Sequence, residues 1–168
     1  MGVKEPPQVL PGNRFVPAVQ NGVKIMSMGF FVHPQEAVVW RGPMLHKTVE
    51  QFLSNVEWGE LDYLIVDLPP GTGDVQLSLC QIIPLTGAAV VSTPQDVALQ
   101  VAEKAIIMFH KLNTPVLGLI ENMSGFVCRH CGEKEEIFGA GGVREYSLRH
   151  ELPFLGAIPL DTRVRETS

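Results

Sequence analysis

Nowhere in the 168 residues does a lysine directly follow a glycine, so the chain holds no complete loop of the glycine–lysine type that cradles nucleotide phosphates. Cysteine is scarce too. Three thiols are a poor basis for a disulfide framework, and two of them lie close together, which favours metal or redox chemistry. Net charge is −5 with no basic cluster, which argues against a nucleic-acid surface. No apolar run approaches the roughly 18 residues needed to cross a bilayer. The opening MGVKEPPQVLPGNRF has neither the apolar core of a signal peptide nor the Arg/Ser-rich pattern of a transit peptide. A cytoplasmic setting, bacterial by the blandness of that opening and without membrane attachment, is the expectation.

What is present suits one domain that buries roughly 70% of its unfolded surface. Residues 1–22 hold several Pro, Gly and Asn without periodicity and read as an irregular lead-in, with the main domain over 23–168. VKIMSMGFFV (23–32) predicts a strand. Over 43–58 the apolar positions Leu45, Val49, Phe52, Leu53 and Val56 recur at spacings of three and four, one helical face. DYLIVD (62–67) reads as a strand buried on both sides. VQLSLCQII predicts a helix capped by Asp74, and AAVVST (88–93) another buried strand. A helix then starts with Thr93 as N-cap, Pro94 in first position and Asp96 in the first turn, and Val97, Val101, Ala105, Phe109 and Leu112 line its inner face. PVLGLIENM and FLGAIP complete the strands. This alternation predicts an α/β fold, a doubly wound, mostly parallel sheet with helices on both faces. One insertion, 124–142, breaks the rhythm.

Ligands of such sheets collect at the carboxyl ends of the strands. Asp67 closes the apolar DYLIVD run, where a carboxylate can hold a magnesium-bound water. Gly71 and Gly73 follow, able to bring backbone N–H groups close to a terminal phosphate; a tight turn with a capping aspartate is the bland alternative. Thr93 at the next strand end could meet an anion or simply cap its helix. Asn122 sits past the following strand, where its amide could read an adenine edge or stabilise a turn. GPMLHKT (42–48) has His46 where a phosphate loop needs its second glycine, and reads as a helix entrance.

Cys128 and Cys131, in CRHC, have the two-residue gap that lets two thiolates reach one metal centre. A full site needs about four such ligands. Two copies facing each other across a twofold axis would supply them. A half-built zinc knuckle using His130 and a thioredoxin-like dithiol stay open as alternatives, the latter wanting its first cysteine at a helix N-terminus. Cys80 reads as a core residue, and His33, His46, His110 and His150 show no ligand spacing.

MSMGF, VVWRGPM, WGELDYLIVDLPPGTGDVQLSL, VVSTPQDVAL, PVLGLIENMSGFVCRHCG, IFGAGG and LGAIPLD stand in this order along the chain. With them the sequence resembles Mrp/ApbC-type iron–sulfur cluster carriers, members of the MinD-like, deviant-Walker class of P-loop ATPases. The resemblance implies a homodimer whose CxxC pairs bridge a labile 4Fe–4S cluster, ATP and Mg2+ near the dimer interface, and transfer of the cluster to apo iron–sulfur proteins. It also implies Asp67 as the Walker B/switch II carboxylate, Gly71 and Gly73 as γ-phosphate sensors, Asn122 as the adenine reader, and Cys128 and Cys131 as bridging ligands. Ile158 and Pro159 match a segment that borders the base. Family members start with a strand, a lysine-bearing P-loop and a switch I segment that have no counterpart here. Met1 is therefore expected to be an internal methionine of a longer parent, and the chain is expected not to hydrolyse ATP by itself. Two rivals remain: a zinc-containing partitioning ATPase relative and a thiol oxidoreductase.

Overall fold

Turn chemistry governs the first residues of the chain. The computed structural model describes residues 2–3, 5–31, 42–68 and 74–166. Within the stretch read as irregular, β1 (Gln8–Leu10) pairs antiparallel with β2 (Arg14–Val16), and β3 (Ala18–Gln20) pairs with β4 (Val23–Ile25) just beyond it. Asn21 and Gly22, at φ 51° and 78°, form the two-residue Asn–Gly turn that matches the twist of a hairpin. That dipeptide was the available signal. The strand expected over 23–32 stops at Ile25, because Ser27 accepts the Gly29 N–H at 3.2 Å and starts a 3-10 turn over Met28–Phe30.

The described residues fall into two compact units, one reaching residue 68 and adding 74–82, the other spanning 83–166. In the first, α1 (Gly42–Ser54) packs on α2 (Asp74–Ile82). The GPMLHKT segment is indeed a helix entrance. Phe15 ties β2 to the end of α1, exchanging backbone hydrogen bonds with Asn55 and Glu57, and its ring meets Phe31, which in turn meets Phe52. The expected buried strand at 62–67 is not there. Tyr63 and Ile65 are 86% and 89% exposed, and no described strand pairs with this segment, so its apolar character has nothing to pack against. Cys80, on α2, is half-buried.

The second unit contains the sheet. β5 (Ala88–Ser92) and β8 (Phe154–Leu160) each lie parallel to β6 (Val116–Val127), and β7 (Lys134–Glu135) returns antiparallel to its far end. The fold is α/β with a mixed sheet. Between β5 and β6 runs α3 (Asp96–Lys111), α4 (Gly142–Arg149) precedes β8, and α5 (Thr162–Glu166) follows it. Leu119, at the centre of β6, is fully buried.

Two details of α3 differ from expectation. Its N-cap is Gln95, in extended backbone, while the Thr93 hydroxyl lies 3.3 Å from the Gln95 side-chain oxygen instead of capping an amide. Its inner stripe is Leu99, Ala102, Ile106 and Phe109, with Val97 76% exposed. Both stripes satisfy helical periodicity and share Phe109, and the one buried hides Leu99 and Ile106 where the other would hide Val97 and Val101.

In α4 the Ser147 hydroxyl is buried without a hydrogen-bond partner among the described residues. Ser147→Ala removes that unmet group and raises helix propensity, so the variant should be more stable by about 1 kcal/mol. Urea denaturation monitored by circular dichroism reads the shift directly.

Candidate functional site

The carboxyl end of β6 concentrates the chemistry. Met123 adopts φ 56° and the pairing with β8 shifts between Asn122 and Phe126, a bulge that re-aims the strand. Asn122 is half-buried and its side-chain oxygen accepts the Met123 N–H at 2.9 Å, which holds the amide in place. Across the ladder Asn122 is the register partner of Ile158. Asn122 and the Ile158–Pro159 segment, separately proposed from sequence to border a base, are thus neighbours at one sheet end.

The insertion is a β-hairpin rather than an irregular loop. β6 leads out, β7 leads back, and Phe126 and Val127 face Glu135 and Lys134. At the tip, Cys128 N donates to Glu133 O and Gly132 N to Cys128 O, both at 2.9 Å. Gly132, at φ 73°, takes the left-handed turn that brings the chain round. The backbone N–H groups of Cys131 and His130 point at the Cys128 sulfur. Together with the Cys131 thiol they hold Cys128 below the ordinary thiol range, against smaller opposing effects of burial and of the Glu135 charge. Cys128 is half-buried and Cys131 exposed. Both thiols thus stand on one tight turn. It is not a helix N-terminus, so the placement a thioredoxin-like dithiol requires is not met. Among the described residues no group of three or more His, Cys, Asp or Glu is placed to hold a metal ion.

A cavity of about 460 Å³ opens between this hairpin and the β8–α5 turn, lined by Cys128, Arg129, Pro159, Asp161, Thr162 and Arg163 among others. Arg129 and Asp161 make an ion pair across it at 3.7 Å. Asp161 is held down at about 2, first by hydrogen bonds from the Arg163 side chain, Nε at 2.8 Å, then by the Arg163 backbone N–H.

One residue at this end was not singled out from the sequence. Glu121 is 1% exposed, yet its carboxylate accepts three hydrogen bonds: from the Ser124 hydroxyl, from Gly141 N at 2.9 Å and from Val143 N at 3.0 Å. Burial pushes its pKa up, but these donors outweigh burial and lower it. Its stabilising effect is therefore present above the usual glutamate value of about 4.3 and is lost as pH falls through the lowered one. A glutamate inside an apolar strand, three residues before a serine and shortly upstream of a glycine-rich helix start, is the pattern that could have flagged it.

Asp67 belongs to the other unit and is exposed, while Gly71 and Gly73 lie outside the described residues. Of the histidines, His33 also lies outside them. His150 stacks on Tyr146, ring centroids 4.1 Å apart. No described helix is long and apolar enough to cross a membrane.

Comparison with known proteins places this geometry. A family model described as ParA, NUBPL iron-transfer P-loop NTPase, matches residues 1–168. The mouse iron-sulfur cluster transfer protein NUBPL is 49% identical over 168 residues, all of this chain and 53% of the relative. The iron-sulfur cluster carrier protein of Deinococcus radiodurans is 56% identical over 150 residues, 89% of this chain and 42% of the relative. An Arabidopsis thaliana relative, named as a mitochondrial iron-sulfur protein required for NADH dehydrogenase, is 48% identical over all of this chain and 54% of its own. The chain thus spans about half the length of the curated relatives it matches. Among solved structures, a nucleotide-binding protein from Archaeoglobus fulgidus in complex with ADP superposes with a TM-score of 0.76 at 37% identity, over 96% of this chain and 62% of that one. By sequence over its whole length and by fold, the chain belongs to the NUBPL iron-transfer P-loop NTPase family.

Proposed function

We propose that the chain is the cluster-bearing part of an iron–sulfur carrier, in which Cys128 and Cys131 of two copies jointly hold a 4Fe–4S cluster and deliver it to apo iron–sulfur proteins. The carrying observation is the hairpin tip. It offers two thiols on one turn, with the Cys131 and His130 backbone N–H groups holding Cys128 below the ordinary thiol range, a donor set that suits a thiolate-bound cluster and supplies half its ligands. An isologous homodimer supplies the other half with no further sequence. The names of the relatives support cluster cargo over the oxidoreductase alternative.

Nucleotide chemistry belongs to the same reading. Asn122 and Pro159 would border the adenine, Asp67 would hold a magnesium-bound water, and Gly71 and Gly73 would sense the terminal phosphate. Cluster loading or release is the step a nucleotide would time. We assign the protein to the cytoplasm. Relatives from bacteria and a plant protein named as mitochondrial make a signal-bearing longer form the competing placement.

The test is anaerobic reconstitution with iron and sulfide. Uptake of about four iron and four sulfide per two chains, with a brown colour and a dimeric mass, is expected. Tightly held zinc in a colourless protein would instead select the partitioning ATPase reading, since a CxxC turn also suits zinc.

A further inference from the structure

The cysteine hairpin needs a root, and the structure supplies one in Glu121. Its backbone lies mid-sheet, in register with Ser92 of β5 on one side and Ala157 of β8 on the other. From there its carboxylate reaches both legs of the insertion. Ser124, on the outgoing leg, donates its hydroxyl to Oε1. Gly141, on the return leg, donates its N–H to the same oxygen, and Val143 donates to Oε2. Cys128 and Cys131 sit inside the loop so closed. The return leg is held from a second direction as well. A Cβ on Gly142 would stand 2.4 Å from the Pro94 carbonyl oxygen, so the start of α4 is pressed against the loop leaving β5.

A carboxylate is a costly choice for a site this enclosed, and an apolar side chain would fill the space more cheaply. What an apolar side chain cannot do is accept the amide N–H groups that open α4, where the helix dipole also favours a negative charge. We infer that Glu121 is a positioning residue: it clasps the two legs of the hairpin and so sets where Cys128 and Cys131 present their thiolates. The inference rests on the cluster-carrier reading for its purpose but not for its geometry.

Two readouts separate those layers. Amide hydrogen exchange at Cys128 and Gly132 reports the hairpin without any cluster. In Glu121→Gln an amide N–H2 opposes one of the three donors. Exchange at those two amides should then quicken about tenfold, with Val90 and Leu119 in the sheet changed far less. In reconstituted protein, cluster loss to an iron chelator should quicken by a similar factor, about tenfold. Ser124→Ala, which keeps the carboxylate and both α4 contacts, should quicken both by roughly threefold, and it carries the test if Glu121→Gln fails to fold. Equal acceleration across hairpin and sheet would reduce Glu121 to a general stabiliser and overturn the proposal. So would a hairpin that quickens while cluster lifetime stays unchanged. Should the unaltered protein take up no cluster, the carrier reading falls, and the exchange data still decide whether the clasp exists.

Discussion

Replacing Cys128 and Cys131 together by alanine is expected to abolish cluster uptake while leaving the fold unchanged. Iron in such clusters is held by thiolates, and among the described residues no group of three or more His, Cys, Asp or Glu is placed to take over from this pair. Either single alanine variant should fail almost as completely, because a twofold assembly loses two ligands for each substitution. The fold is insulated from the change. Cys131 is exposed and Cys128 half-buried, and the turn is closed by the backbone bonds Cys128 N to Glu133 O and Gly132 N to Cys128 O. Stability should therefore move by no more than about 0.5 kcal/mol. Iron and sulfide analysis after anaerobic reconstitution, paired with thermal melts of the same samples, measures both halves. A double variant that stays brown with full iron content would sink the carrier assignment.

The second large effect concerns β6 and β8. Gly118→Ala should destabilise the protein by about 3–5 kcal/mol, a sizeable share of the 5–15 kcal/mol typical of a folded domain. Gly118 has φ 149°, a conformation L side chains rarely adopt, and a Cβ there would fall 2.6 Å from the Pro153 carbonyl oxygen and 2.7 Å from Leu155 Cγ. The carbonyl cannot simply withdraw, since it accepts the Leu119 N–H at 2.8 Å. Gly156 provides the control. It shares the backbone conformation, at φ 148°, but nothing lies within 4 Å of its built Cβ, so Gly156→Ala should cost only the backbone strain, about 1–2 kcal/mol. Urea denaturation of the two variants separates strain from collision. Equal losses would mean that the close approach of Pro153 is relieved at no cost.

How far the sequence could be read depends on what each segment packs against. The strands at 88–92 and 154–160 and the first part of the strand at 116–127 were legible because apolar runs between turn residues have few other uses, whereas its continuation to Val127 was read as part of the insertion. DYLIVD has the same signature, and it failed because burial of such a run requires flanking strands, which composition alone does not report. In α3 the period was readable and the phase was not. Val97 and Val101 fit a helical face as well as Leu99 and Ile106 do, and only the sheet beneath decides between them. At the candidate site, the cysteine pair and Asn122 could be singled out through spacing and position. Glu121 was not, because its role is set by Gly141 and Val143, amides whose arrival beside it depends on the whole insertion folding back.

The bare run at 63–66 has a practical corollary. Four uncharged residues, Tyr63, Leu64, Ile65 and Val66, stand exposed with no described strand alongside, the kind of ribbon that recruits a neighbouring molecule in concentrated solution. Turbidity and bleaching in a purified sample would then have separate origins: clouding would follow protein concentration and trace to this ribbon, whereas fading would follow oxygen and trace to the thiols.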